Sequence, residues 1–287
     1  MCASKSNDNG RAFEAILVEF LSEKGFHLTD RARKDNTRDS SKVKNLDFDK
    51  KKNCRNASKK ILEWLLKKFI SKESTIDRLP DDSRSVSDIS INSKNKKINI
   101  SLKYNHAALK HPRPYSLAIS CGFNENSEEN LKHRDDMQII EENYRLKIGN
   151  AIKFNEHPEH KKKFYEQICK VCKNSLVNWS KSNSDISNKF FKFIIGNEDF
   201  YKIILKDSLK NKEIIIQEYL NLPEPKNFIA TVKGSRLIIK FDNSWIFNLR
   251  IHTASSRISK EGSQLSLKFD ANRVYGTVKE EIIKLSN

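Results

Sequence analysis

Val86-Ser-Asp-Ile-Ser-Ile91 and Ile98-Asn-Ile-Ser-Leu-Lys103 each alternate apolar and polar residues. A period of two is the signature of a half-buried strand. The intervening Asn92-Ser-Lys-Asn-Lys-Lys97 is polar and rich in turn formers, so the two runs read as a β-hairpin. Ser101 and Lys103 lie two apart and project from one face of the second strand. Asp88 falls in the middle of the first strand, where pairing can bring it beside that face. A carboxylate, a hydroxyl and an ammonium then converge.

Upstream, Asp8 or Asn9 can cap a helix. Phe13, Ile16, Leu17, Phe20 and Leu21 recur at helical spacing, Glu14 lies beside that stripe, and Gly25 is a plausible C-terminal cap. Residues 29–58 are polar and charged and read as a mobile, basic connection. Ile61, Leu62, Trp64, Leu65, Phe69 and Ile70 predict a second helix, broken at Leu79-Pro80-Asp81-Asp82-Ser83. Downstream, Leu131 to Leu220 reads as helical, including Phe164, Ile168, Val171 and Leu176, then Phe190–Ile195, then Phe200, Ile203, Ile204 and Leu205. After Pro223 and Pro225 the pattern turns to strands at Phe228–Val232, Leu237–Phe241, Trp245–Ile251 and Leu265–Phe269, with a short helix expected over Val278–Leu285. This order predicts an α+β fold in three parts: 1–130, a helical region 131–225, and a β-rich part 226–287.

The 287 residues carry 54 Lys+Arg against 37 Asp+Glu, a net charge of +17, so the partner is expected to be a polyanion or an acidic surface, nucleic acid first. A Lys- and Asn-rich composition can also reflect an AT-rich genome, so placement is more informative than the total. Between Ile89 and Asn124 there is no Asp or Glu, and between Lys226 and Lys260 seven Lys/Arg face one Asp. Nearly acid-free basic windows are what phosphate tracking requires. No run approaches the length of a membrane span, and the polar N-terminus shows no secretion signal. With five cysteines, an odd number, free thiols and a cytoplasmic location are expected.

The convergence at Asp88 suits phosphodiester hydrolysis. A carboxylate can hold Mg²⁺, which prefers oxygen ligands, and the metal polarises the phosphate and acidifies a bound water. A lysine can orient that water and stabilise charge developing on phosphorus. The Leu102 carbonyl would be a second metal ligand and Glu14 a further acid, with Glu63 as a fallback and Asp81 as a lower-ranked alternative to Asp88.

The pattern resembles the PD-(D/E)XK nuclease core, except that Ser101 stands at its second acidic position. The segment after Lys103 is similar to the HaeIII-type family of Type II restriction endonucleases, whose Ser-x-Lys-x-Asn-His-x-x-x-Lys-His-x-Arg motif matches Ser101, Lys103, Asn105, His106, Lys110, His111 and Arg113. Asn9-Gly-Arg-Ala-Phe-Glu14 looks like the family's opening helix motif. Trp245 through Arg250-Ile-His-Thr-Ala-Ser-Ser256, with Ser266-Leu-Lys-Phe-Asp270, looks like its C-terminal signature. Thr253, where the family's motif has Asn, and the prolines flanking Arg113 are departures.

The resemblance implies a restriction-endonuclease-like mixed sheet flanked by helices, with 1–130 as the catalytic core and 226–287 as a DNA-recognition part packed on it. It implies a Mg²⁺-dependent endonuclease cutting double-stranded DNA at a short palindrome, GGCC. Asp88, Ser101, Lys103 and Glu14 are the expected catalytic residues, with Asp88, Leu102 and Glu14 on the metal. A companion methyltransferase is implied, because unprotected host DNA would be cut, and a palindromic target suggests a homodimer. Arg113, Arg250 and Arg257 are the expected guanine readers, supported by Lys110 and Lys268. Asn105, His106, His111, His252, Ser255 and Ser256 are further candidates for DNA contact.

Other readings compete. His157-x-x-His160 with Cys169-x-x-Cys172 has zinc-ligand spacing, although Cys169 and Cys172 fall on an apolar helix where buried free thiols are ordinary. Asn105, His106 and His111 invite an HNH-type reading, but the hairpin before them holds no histidine. A non-catalytic basic DNA-binding module, or an RNA-binding protein, would explain the charge but not the motif order.

Overall fold

The computed structural model of the chain describes residues 2–68, 71, 73–80, 85–94, 96–208, 212–253, 255–259 and 264–285. Asp81, Phe69 and Ile70 lie outside them. The chain is α+β, and it divides into two compact units.

The first unit comprises residues 1–107, 197–222 and 278–287. It contains α1 (Cys2–Glu23), β1 (His27–Leu28), α2 (Asp30–Asn45), α3 (Phe48–Lys67), β2 (Thr75–Arg78), β3 (Ile89–Ser93), β4 (Lys96–Tyr104), β5 (Phe200–Asp207), β6 (Lys212–Tyr219) and β11 (Lys279–Lys284). Its strands form one mixed sheet in the order β1-β2-β3-β4-β5-β6-β11. β4 and β5 run parallel, with Ser101 opposite Lys202, whereas β3 and β4 form the expected antiparallel hairpin. Phe13, Ile16 and Leu17 of α1 and Ile61, Trp64 and Leu65 of α3 are buried in one core with Ile100, Leu102, Ile203 and Ile216 of the sheet.

The second unit comprises residues 108–196 and 223–277. It contains a 3-10 turn (Pro114–Ser116), helices α4 (Leu117–Ser120), α5 (Glu128–Ile148), α6 (Pro158–Ser182) and α7 (Ile186–Ile195), and strands β7 (Phe228–Val232), β8 (Arg236–Phe241), β9 (Ile246–Thr253) and β10 (Leu267–Tyr275). The four strands form an antiparallel sheet in the order β10-β9-β8-β7. Leu237, Ile239, Phe247, Leu249, Ile251, Phe269 and Ala271 alternate onto its buried face.

Five local expectations are corrected. Residues 29–58 are not a mobile connection but α2 and the start of α3. Thr29 caps α2, its hydroxyl accepting from the Ala32 amide, and Asp47 caps α3, accepting from the Lys50 amide. The α2 face turned inward carries Ala32 and the fully buried Asp39 rather than an apolar stripe, so hydrophobic periodicity has nothing to register.

Phe200–Leu205 is strand β5, not helix. β5 lies between β4 and β6 and is buried along most of its length. A strand covered on both faces reads as a continuous apolar run, which periodicity alone does not separate from a buried helix. Val278–Leu285 is not a helix either; Lys279–Lys284 pairs antiparallel with β6, Ile283 opposite Ile214. Its Lys and Glu residues are typical of a protected sheet edge. Finally, Asp88 precedes β3 instead of sitting within it, and α1 begins at Cys2, upstream of the expected caps.

Candidate functional site

The end of the β3–β4 ladder makes the first cluster. The Asp88 amide donates to the Ile100 carbonyl at 2.8 Å, after which the main chain of β3 and β4 pairs no further. The Asp88 side chain takes over where the ladder stops. Its Oδ2 accepts from the Leu102 amide at 2.6 Å, from Lys103 Nζ at 3.3 Å and from Ser101 Oγ at 3.4 Å. Carboxylate, hydroxyl and ammonium do converge. In a strand the N–H and C=O of one residue face the same edge. The Leu102 carbonyl is therefore turned to the edge occupied by Asp88. Asp88 and Lys103 are each about one-fifth exposed, at 21% and 23% of their side chains, so a substrate phosphate can reach them.

Glu14 projects from α1 into the buried side of this cluster. Burial raises its carboxyl, the nearby Asp88 charge raises it further, and Arg78 and Arg11 oppose them; the outcome is a pKa of about 7. Arg78 is the largest fully buried side chain described, at 1% exposure. Its guanidinium bonds Glu14 Oε2 at 2.7 Å, Asp39 at 2.9 Å and Asn36 Oδ1 at 3.3 Å. Asn36 in turn donates to the Ala15 carbonyl at 3.2 Å. β2, α1 and α2 are thereby tied to one buried cation. Sequence reasoning missed Arg78, Asn36 and Asp39. Arg78 stands beside the Leu79-Pro80 break, and Asn36 and Asp39 lie in the stretch read as a connection. An alternating Thr75-Ile-Asp-Arg78 ahead of that break was the available signal.

Glu63 belongs elsewhere: it is exposed on α3 and pairs with Lys60 at 2.9 Å. Asn105 follows β4 directly. Its side chain accepts from the Asp207 amide at 2.7 Å and donates to the Asp207 carbonyl at 3.0 Å, clasping the end of β5, and its φ of 53° is left-handed. Lys202, buried on β5, donates to the Ala107 carbonyl. His106, between these two anchored residues, is partly exposed.

Two carboxylates, Asp88 and Glu14, and the Leu102 carbonyl are all oxygen donors of the kind hard divalent cations take. Burial first and the Asp88 charge second raise Glu14, and such a cation offsets both. The residues present therefore fit a Mg²⁺ ion.

The second cluster lies within the second unit. Residues 109–112 run along β10: the Leu109 amide donates to the Ala271 carbonyl at 3.0 Å, the Ala271 amide to Lys110 at 3.3 Å, and the Phe269 amide to Pro112 at 2.8 Å. That pairing sets His111 Nδ1 2.9 Å from Asp270. From β9, Arg250 Nη2 and His252 Nε2 each approach Asp270 to 3.0 Å. Burial alone would raise Asp270, but hydrogen bonds from His111, His252 and Arg250 hold it well below the usual carboxylate range. The Lys110 ammonium lies over the Phe193 ring at 4.8 Å. Lys268 is half-buried on β10, and Arg113 is exposed at the start of the 3-10 turn. Ser255, Ser256 and Arg257 are exposed in the segment after β9, where the Arg257 main chain forms an isolated antiparallel β-bridge with Lys153 and its amide donates to Ser255 Oγ.

The zinc set does not assemble among the described residues. His157 and His160 group with Glu159, whereas Cys169 and Cys172 are buried free thiols in the α6 core. No described helix is long and apolar enough to cross a membrane.

The chain is similar to known proteins along most of its length. The family described as HaeIII restriction endonuclease matches residues 10–223. The Type II restriction enzyme HaeIII of Haemophilus aegyptius is 26% identical over 328 aligned positions, covering 93% of this chain and 94% of that protein. No solved structure matches significantly.

Proposed function

Since the chain belongs to the HaeIII restriction endonuclease family and is a Type II site-specific deoxyribonuclease, we propose that Asp88, Ser101, Lys103 and Glu14 form its hydrolytic centre. The observation that carries this is the meeting of Ser101, Lys103 and the Leu102 amide on one oxygen of Asp88. Asp88, Glu14 and the Leu102 carbonyl would hold Mg²⁺. When bound, the ion supplies Lewis-acid polarisation of the scissile phosphate and an acidified water.

Lys103 keeps its ammonium at the carboxylate edge. There it can turn a water toward phosphorus and offset the charge that builds on the phosphate oxygens. Ser101 replaces an acid in the resembled pattern, so its hydroxyl donates where a carboxylate would accept. That lowers the negative charge at the site by one and leaves Glu14 as the second acid. Arg78 fixes the Glu14 carboxylate from behind. The substrate is duplex DNA, the proposed target is GGCC, and a companion methyltransferase protects the host's own sites. The palindrome suits a homodimer working in the cytoplasm. Asn105, His106, Lys110, His111, Arg113, Arg250, His252, Ser255, Ser256, Arg257 and Lys268 form the proposed DNA-contacting set, with the Asn105 side chain also clasped to the Asp207 main chain.

Plasmid digestion in Mg²⁺ tests this. Wild type is expected to give discrete fragments whose sequenced ends lie within GGCC, and Asp88→Ala and Lys103→Ala are expected to cut at least about a thousandfold more slowly while still binding DNA. Normal cutting by Asp88→Ala overturns the assignment of the site. Fragment ends at another sequence overturn the target. Tight binding without any cutting by wild type would favour a non-catalytic DNA-binding module.

A further inference from the structure

The four-stranded sheet of the second unit has one apolar and one polar face. Register places Arg236, Arg250 and Asp270 in one row across β8, β9 and β10, with Lys240, His252 and Lys268 on the same face. Asp270 is the only acid in any of the four strands. A lone carboxylate on a basic face repels the phosphates that the rest of the face attracts, and it costs desolvation, since its side chain is only 11% exposed. What offsets that cost is what the carboxylate holds. His252 is turned inward, with Nε2 3.0 Å from Asp270 and Nδ1 3.2 Å from the Thr253 carbonyl. His111 reaches the same Oδ1 as His252. Arg250 differs from both. It meets Asp270 through Nη2 alone, on the other carboxylate oxygen, and its side chain is 57% exposed. A guanidinium carries five N–H donors in a rigid fork, so most of that fork is directed beyond Asp270.

We propose that Asp270 is a specificity-determining positioning residue, whose carboxylate, locked by His111 and His252, holds the Arg250 guanidinium in the plane in which it reads the O6/N7 edge of a guanine. The proposal rests on the reading that Arg250 contacts DNA. Bidentate readout of guanine needs a fixed donor plane. An exposed arginine without an anchor must be ordered at the moment of binding, which weakens discrimination between right and wrong bases. A phosphate contact behaves differently, weakening binding almost uniformly across sequences.

The test compares cleavage of a duplex bearing the cognate site with duplexes in which each guanine is replaced in turn. Asp270→Asn is expected to lower the ratio of cognate to altered-site kcat/KM by about 10- to 100-fold, with an unchanged slope of binding against salt. Asp270→Glu keeps the charge but displaces the guanidinium, and is expected to lower the same ratio even should the Asn variant fold poorly. Neither change should lower the ratio further in an Arg250→Ala background. If Arg250→Ala collapses the ratio while folded Asp270→Glu and Asp270→Asn leave it unchanged, the positioning role of Asp270 is wrong. If Arg250→Ala leaves both cognate cutting and the ratio unchanged, the DNA reading of Arg250 itself is wrong.

Discussion

Glu14→Gln separates what the site needs for stability from what it needs for hydrolysis. Glu14 is 6% exposed, and burial together with the Asp88 charge lifts its carboxyl from the usual 4.5 to about 7. Between those two pH values the folded chain keeps a proton that the unfolded chain has released. Stability therefore falls as pH rises through that window. The contribution is fully present below about pH 4.5 and gone above about pH 7. A difference of about 2.5 in pKa, at about 1.36 kcal/mol each, makes the loss on the order of 3 kcal/mol.

Gln cannot titrate and still offers Arg78 a carbonyl oxygen. In urea unfolding followed by circular dichroism, with EDTA present, wild type is expected to lose on the order of 3 kcal/mol relative to Glu14→Gln between pH 4.5 and pH 8. The variant is expected to be inactive on plasmid DNA even where it is the more stable protein. A difference between the two proteins that stays constant across this pH range refutes the electrostatic argument.

Arg78→Met leaves Glu14 and Asp39 as buried carboxylates without their shared cation; a loss of about 3–5 kcal/mol is expected in urea melts, and a loss under 1 kcal/mol would show that the triad contributes little. Gly276→Ala places a Cβ 2.5 Å from the Trp245 ring at a φ of 143°, so the second unit is expected to lose at least about 1 kcal/mol, read as a lowered thermal midpoint; an unchanged midpoint would contradict the packing. Burial pushes the thiols of Cys54 and Cys169 up to about 12 and raises Cys121 and Cys172 as well, so iodoacetamide at pH 8 is expected to spare all four in the native protein by mass spectrometry; rapid native labelling would place any of them at the surface.

How far each feature was legible depended on whether it left a periodic trace. The β3–β4 hairpin did, because one of its faces is apolar and the other polar. The strands β7 to β10 did for the same reason. α2 did not: its buried side is Ala32 and Asp39, and a polar contact to Arg78 has no hydrophobic spacing. β5 misled because burial on both faces erases alternation. β11 misled because its charges mark an edge, and that is visible only once β6 is known to lie beside it. Motif position carried no sign that the Asn105 side chain clasps the main chain of Asp207, a residue about a hundred positions later.

The sequence by itself determined the chemistry on offer: which acids, lysines and histidines exist, their spacing along strands, and the two acid-poor basic windows. Spacing along a strand is a local property, so Ser101 and Lys103 could be placed on one face from two positions of sequence. Tertiary structure alone decided which groups from distant segments share an environment. Arg78, Asp39 and Glu14 come from three elements, and only folding puts their charges in one buried cluster where Arg78 opposes the effect of burial on both carboxyls. Asp270 became a hub because antiparallel register laid Arg250 and His252 beside it and a loop edge added His111. Electrostatic coupling depends on distance through space and on burial, and neither is written in the order of residues.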